Sequence, residues 1–369
     1  DVYGWKIDSN LRAYIEGAYQ RNMRLAFRVV VDSRDKRTEF TPQFVKDAGA
    51  KGFMNKGKWS PYSDDSVFQK YYTKFVKALA KDFNDPSKVE FIDGFGLGKW
   101  GEYHTMIYST GDDTPKKAVF DWVTDIYSQA FDKVPVVINY HRWIGAGKDW
   151  VDDEHFAADS EEMLEEAIKK GYSLRHDAFG MTTYYGSWER RFAKKYRNIC
   201  PIIMEGGWIV KSHSYWQDPR GYRKDSHEDV RRGEFDDSKE AHVNMMDFRF
   251  GDTEFWFKDA FDLVRRFLRE GGYRLYPSEI SLPLEVSKKT TPTIKHCWNN
   301  MGWGYCPTNI PQWNQKYKVA FALLDSETNE VRYTFVDTNT DLSKWIKGSP
   351  AEYVFEPDMS KVETGTYVW

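Results

Sequence analysis

Up to about Gly272 the chain switches repeatedly between two hydrophobic periods. Leu25–Val31, the run around Phe91-Ile92, Val134–Tyr140 and Ile199–Met204 are short, nearly continuous apolar stretches. That is the pattern of strands buried on both faces. Asp177–Met181 and Val243–Phe248 are weaker runs of the same kind. Between them the period becomes helical. A helix is predicted from Asp8 to about Asn22. From Ser66, Phe68, Tyr72, Phe75 and Leu79 recur at i, i+4, i+7 and i+11 until Asn84-Asp85-Pro86 ends the pattern. Thr114-Pro115 predicts an N-cap and first helical residue, ahead of Val119, Trp122, Val123, Ile126 and Tyr127. Ser160 is the expected cap of a helix stopping at Gly171, and further helices are expected near 187–197 and 254–270. Thr41-Pro42 opens a short helical turn, 46–65 is a long loop holding a short strand, and 209–238 is polar and charged, with a solvated face expected over 223–240.

After Gly272 the helical period disappears. Ile280–Val286, Lys318–Leu324 and Val331–Val336 are strands separated by turns. A small antiparallel β-sandwich over 273–369 is therefore expected behind a first domain over 1–272. Alternating strands and helices in that first domain imply a parallel sheet with right-handed crossovers. The strand count is seven, including one somewhere in 46–60. A closed (β/α)8 TIM barrel needs eight, so the first strand is expected before Asp1 and the others are numbered two to eight.

Composition narrows the classes of function. The net charge of the 369 residues is -3, which offers no basic field for nucleic acid. No apolar run is long enough to span a membrane. Aromatics make up 17%, with 15 Trp, a surplus that suits the flat faces of sugars as well as a core. No cofactor is implied. Cys200 lies in an apolar run and reads as a buried thiol. Cys297 and Cys306 bracket a loop that closes as a disulfide in an oxidising compartment or carries two unpaired thiols. Without a Cys-x-x-Cys, structural zinc is not indicated.

The chemistry concentrates in Asp93-Gly94-Phe95-Gly96-Leu97-Gly98-Lys99-Trp100-Gly101-Glu102-Tyr103-His104, which follows a buried strand. In barrels of this kind the catalytic groups sit at the carboxyl ends of the strands, and the glycines let backbone and ligand approach closely. Glu102 ends strand four. Glu205, in Glu205-Gly206-Gly207-Trp208, ends strand seven. Two carboxyl groups on one rim are what glycoside cleavage requires: an acid for the leaving oxygen, and a nucleophile or base. Trp100 and Tyr103 can give Glu102 an apolar surround that keeps it protonated. Arg28, a cation in a strand, can hold Glu205 as an anion. His104 and His141 are candidates to bond a substrate. Tyr140, Trp143, Tyr184, Trp188 and Trp208 follow strand ends and can line a sugar platform, and Asp177 is a third candidate rim carboxylate. Each of these aromatic rings has core packing as its equal alternative.

An Arg-bearing strand, Thr-Pro-x-Phe-Val followed by Gly-Ala-Lys-Gly, the Trp-Gly-Glu-Tyr-His motif and a late Trp-Asn-Asn-x-Gly occur here in that order. Together they resemble bacterial secreted β-galactosidase-like proteins, with a clan-A glycoside hydrolase barrel and a C-terminal β-sandwich domain of unknown function. The resemblance implies a retaining hydrolase with Glu102 as acid/base and Glu205 as nucleophile. It also implies an extracellular, periplasmic or cell-surface location, in keeping with a sequence that starts at Asp1 rather than Met. It departs from that clan at Gly101, where the clan carries Asn. Two rivals follow: a barrel that binds carbohydrate without cutting it, and a metal-dependent hydrolase using His104, His141 and His176. The second lacks the His-x-His pair that such barrels carry. Oligomeric state is left open.

Overall fold

The structure is a computed structural model that describes residues 9–34, 38–147, 154–181, 184–207, 227–248, 253–287, 289–313 and 317–369. In chain order the first part runs α1 (Ser9–Tyr19), β1 (Leu25–Arg28), α2 (Gln43–Asp47), β2 (Gly52–Asn55), β3 (Lys58–Pro61), α3 (Ser66–Phe83) and β4 (Val89–Asp93). A 3-10 turn at Lys99–Gly101 follows, then α4 (Lys116–Ala130), β5 (Val136–Asn139), α5 (Glu154–Lys169), β6 (Ser173–Phe179), α6 (Ser187–Tyr196) and β7 (Ile202–Gly206). The part closes with α7 (His227–Glu240), β8 (Met245–Asp247), α8 (Thr253–Lys258) and α9 (Phe261–Glu270).

Strands β1, β4, β5, β6, β7 and β8 pair side by side, all parallel, in a six-stranded sheet curled into a half-barrel. Because every pair is parallel, the carboxyl ends of all six strands share one rim. Val136, Ile138, Leu174 and Ile202 are fully buried in the sheet. Helix α3 is capped by Asp65, whose carboxylate accepts the Phe68 N–H at 2.9 Å, and it buries Phe68, Tyr72, Val76, Leu79 and Phe83. Phe75, expected in that stripe, packs only partly buried against it.

The structure corrects the sequence reading in several places. The strand expected in 46–60 is the antiparallel hairpin β2–β3, which pairs only with itself, so β1 lies directly beside β4. Its two-residue turn has φ of 48° at Lys56 and 77° at Gly57, the left-handed pair that tight hairpins favour. Among the described residues the parallel sheet thus has six strands, where seven were expected after a first one placed before Asp1. Strand β6 starts at Ser173, earlier than predicted, because Arg175 and His176 break the apolar run without breaking the ladder. Ser160 is internal to α5, and its hydroxyl accepts the Ile144 N–H at 2.9 Å. Pro115, without a side-chain cap from Thr114, precedes α4. The helix expected over 254–270 is split into α8 and α9.

The described residues of 275–369 contain strands and one 3-10 turn (Leu342–Lys344) but no α-helix. Strands β9 (Leu275–Ser281), β10 (Ile294–Asn300) and β13 (Ala351–Phe355) form one antiparallel sheet, in the order β13-β10-β9. β11 (Val319–Asp325), β12 (Val331–Asp337) and β14 (Tyr367–Val368) form the other, in the order β12-β11-β14. They pack through Ile294, Val319, Phe321, Leu342 and Trp345, and His296 donates across to Asp337 at 3.1 Å. The loop after β10 leaves this core and enters the larger one. There Trp303 is buried, with its indole N–H on the Val243 carbonyl at 2.9 Å, and Trp313 donates to Ser173 at 2.8 Å. Ser173 and Val243 stand at the amino ends of their strands, opposite the rim that carries the carboxyl groups. All three cysteines are unpaired, so Cys297 and Cys306 form no disulfide in this structure.

Candidate active site

The segment between β4 and α4 folds back tightly on itself. Lys99 N–H reaches the His104 carbonyl at 3.1 Å, and Tyr103 N–H reaches Leu97 O at 3.0 Å. The Tyr72 hydroxyl donates to Phe95 O at 3.1 Å and the Tyr172 hydroxyl to Gly94 O at 2.8 Å, satisfying buried carbonyls of the glycine stretch. Three non-glycine residues here have positive φ: Trp100 (58°), Tyr103 (62°) and Thr105 (49°). Each costs about 1–3 kcal/mol, a strain the surrounding packing must hold. Gly101, at φ 75°, is equally constrained. A Cβ there would lie 2.9 Å from the Arg28 side chain and 3.3 Å from Val30. The Asn that the clan-A resemblance calls for therefore has no room beside Arg28.

Glu102 is buried at the end of this loop. Arg28, the last residue of β1, donates from Nη1 to Glu102 Oε1 at 2.8 Å and from Nε to Asp93 Oδ2 at 2.7 Å. Its Nη2 stands 3.8 Å from Glu205 Oε2, on β7. Arg175, on β6, pairs with the same Glu205 oxygen and approaches Asp93 Oδ2 at 3.3 Å. One rim thus carries two guanidiniums among three carboxyl groups. A fourth comes from Asp177 on β6, whose carboxylate lies within 4.8 Å of Glu102 and His104 and accepts the Asn139 amide at 3.1 Å. His104 Nε2 lies 3.4 Å from Glu102 Oε2. His141 receives the Trp143 N–H on Nδ1 at 3.1 Å, which leaves Nε2–H to donate to the Glu102 carbonyl at 2.9 Å.

Burial, and next the negative charge of Asp177, raise the Glu102 carboxyl above the ordinary glutamate value against the pull of Arg28. For Asp177, burial also acts upward. His176, the Glu102 carboxyl, His104 and Arg175 outweigh it and hold Asp177 well below the usual carboxylate range. Burial lowers His176 to about 3, so its imidazole is neutral. Its Nδ1 accepts the Ala178 N–H at 3.0 Å, which fixes the proton on Nε2.

The sequence candidates divide clearly. Arg28, Glu102, His104, Asp177 and Glu205 come together, with His141 bonded to the Glu102 backbone. Trp100 is 39% exposed, its ring 5.8 Å from that of His104, with Lys99 Nζ 4.2 Å from its centre. Tyr140 is fully buried, its hydroxyl 2.9 Å from that of Tyr185 and its ring stacked on Phe192. Trp143 is buried under the Arg142 guanidinium at 3.9 Å, and Trp188 is buried against Phe192. All three rings are buried, Tyr140 and Trp188 within the large apolar core and Trp143 between Arg142 and His141. Tyr184 is partly buried beside Met181, to whose carbonyl its N–H donates at 2.9 Å. Trp208 lies outside the described residues. Asp93, Asn139 and Arg175 were not singled out from the sequence. A charge or amide interrupting an apolar strand run was their signal, the one read only for Arg28.

Among the described residues, Glu102, His104 and Asp177 have donor atoms within 4.8 Å of one another, the spacing of a possible cation site. Arg28 already occupies one Glu102 oxygen.

No protein-family model matches the chain, and no curated protein matches it. Among solved structures it is similar to endo-glycoceramidase II from Rhodococcus sp. in a cellobiose-like isofagomine complex. The TM-score is 0.39 and the identity 12%, over 94% of this chain and 83% of that one. A likeness of that size does not define a family. Among the described residues, no helix is long and apolar enough to cross a membrane.

Proposed function

We propose that the protein is a glycoside hydrolase acting on an oligo- or polysaccharide with retention of configuration. The observation that carries this reading is that Arg28 reaches both Glu102, beyond β4, and Glu205, on β7, over one rim. Glu205, ion-paired with Arg28 and Arg175, is the carboxylate placed to attack the anomeric carbon. As that bond forms and the glycosidic bond breaks, Glu102 passes its proton to the leaving oxygen. Water then releases the glycosyl-enzyme, with Glu102 taking its proton back. The exposed Trp100 indole is a platform for a sugar face.

The test is turnover of a panel of aryl glycosides and plant, host and microbial oligosaccharides. On any substrate cleaved, E102Q and E205Q are each expected to lose at least about 100-fold in kcat, and NMR of the first-formed product is expected to show the retained anomer. Wild-type turnover by either variant, or an inverted product, sinks the mechanism.

One observation favours a second reading, a barrel that binds carbohydrate without cutting it. Arg28 already holds an oxygen of the would-be acid, at 2.8 Å. Calorimetric binding of a glycan that yields no product on long incubation would select that reading.

A further inference from the structure

We propose that Asn139, at the carboxyl end of β5, is a specificity-determining residue that binds a hydroxyl group of the sugar held between Glu102 and Glu205, and that this sugar is neutral rather than a uronic acid. The assignment rests on the proposed hydrolase for the place of the sugar. Its structural content stands on strand register, burial and hydrogen bonds.

Parallel register sorts the two faces of the sheet. Residues opposite one another in neighbouring strands share a face, and the faces alternate along each strand. Arg28 stands opposite Asp93, Asp93 opposite Val137, Asn139 opposite Arg175, and Arg175 opposite Ile203. Val137 and Asn139 are two positions apart, as are Ile203 and Glu205, so all of these residues lie on one face. Val136, Ile138, Leu174 and Ile202 lie on the other, where they pack in one core with Tyr72 of α3, Phe120 of α4 and Phe192 of α6. The Asn139 side chain therefore belongs to the face turned away from those helices, together with Arg28, Asp93, Arg175 and Glu205.

Asn139 is 2% exposed. Its Nδ2 donates to Asp177 Oδ1 at 3.1 Å, and the Asp177 carboxylate lies within 4.8 Å of Glu102 and His104. A carboxylate only accepts, so the amide turns its nitrogen to Asp177 and leaves its oxygen for another donor. Among the described residues Asn139 Oδ1 accepts no hydrogen bond. A buried acceptor in that condition is costly unless a partner is supplied. On the same face Asp93 Oδ1, Arg28 Nη2 and Arg175 Nη1 are also buried without a hydrogen bond, although all three side chains are ion-paired. Open acceptors and open donors thus stand together beside the two glutamates.

This mixture selects the chemistry of the ligand. A carboxylate or a phosphate offers acceptors only, and would face Asn139 Oδ1, Asp93 and Asp177 with nothing to donate. An ammonium offers donors only, and would face two guanidiniums. A hydroxyl both donates and accepts, and a sugar carries several on adjacent carbons. One hydroxyl donating to Asn139 Oδ1 satisfies that acceptor and keeps a lone pair for a guanidinium. Arg28 and Arg175 are already engaged by Asp93, Glu102 and Glu205, so neither is left to neutralise the carboxylate of a uronic acid.

The deciding experiment is titration calorimetry of the full chain carrying E205Q, which holds a glycoside without turning it over. The ligands are aryl glycosides of neutral hexoses, the matching uronides, and the monodeoxy analogues of the neutral glycoside that binds most tightly. The uronide and one monodeoxy analogue are each expected to bind about tenfold or more weakly than that parent. N139A, added to E205Q, is expected to weaken the parent by a similar factor and to weaken that deoxy analogue no further, because both changes remove the same hydrogen bond. A uronide bound as tightly as the neutral parent, a deoxy series in which no position stands out, losses from N139A and the deoxy change that multiply, or no glycoside bound at all would each overturn the assignment. The uronide and deoxy series needs no change at position 139, so it decides the matter if N139A does not fold. Glycosides that bind in this pattern but are never cleaved by the wild type sink the proposed function and leave this result standing. A glycoside that is cleaved, with no coupling between N139A and any hydroxyl, does the reverse.

Discussion

At the scale of the residue, Glu102 illustrates how one side chain is given its state by several neighbours. Its carboxyl is raised by burial first and by Asp177 second, against Arg28. Between the ordinary glutamate value and the raised one, the folded chain binds the proton more tightly than the unfolded chain does. In that window this group makes stability fall as pH rises. Asp177, held low, acts with the opposite sign: its contribution is present above the unfolded value and is lost as pH falls. Gln copies the protonated form of Glu102 and cannot ionise. E102Q is therefore expected to match the wild type in thermal stability below the ordinary glutamate range and to exceed it once pH rises through and above that range. Melting temperatures of both proteins across that range check this, and a difference that does not grow with pH would refute it.

At the scale of the element, the loops above the sheet are held as firmly as the strands. The turn after β5 is anchored by the Ser160 hydroxyl on the buried Ile144 N–H. From the sequence, Ser160 reads as a helix cap. In the structure the helix begins earlier, and the hydroxyl serves the neighbouring loop that carries His141. S160A leaves a buried donor without its acceptor, which costs about 1–3 kcal/mol. Chemical denaturation should show that loss with little change in helix content by circular dichroism. The loop from Gly94 to Thr105 follows the same logic. Its positive-φ residues are stable only because Tyr72, Tyr172 and the loop's own amides occupy its carbonyls.

At the scale of the whole molecule, the curl of the sheet brings Arg28, Asp93, Asp177 and Glu205, from four different strands, to one rim. The opposite end is closed by the loop from the strand-only part, with Trp303 against Phe235 and Phe267. W303A should cost about 3–5 kcal/mol and lower the melting temperature of the whole chain. If 273–369 instead unfolds alone, with the remainder melting unchanged, the two parts are not energetically joined through this residue.

The alternation of buried strands and amphipathic helices, the change to strands alone after Gly272, and the placing of Glu102 and Glu205 after apolar runs were legible in the sequence. Periodicity reports which face of an element is buried, and a carboxylate ending an apolar run stands out against it. The sequence did not by itself determine the partners. From the sequence, 46–65 reads as a long loop holding one short strand of the sheet. Only the pairing of residues 52–61 with one another, with a left-handed turn at Lys56-Gly57, sends them into a hairpin of their own. Arg175 and Asp93 were not singled out from the sequence; parallel strand order lays Asp93 beside Arg28 and Arg175 beside Glu205. Asp177, a third candidate rim carboxylate in the sequence, lies within 4.8 Å of Glu102 and His104 once the sheet curls. For Tyr140 and Trp188, core packing is the alternative that burial selects. Local pattern sets burial and period, but which distant charges meet is set by strand order and sheet curvature, and these exist only once the chain has folded.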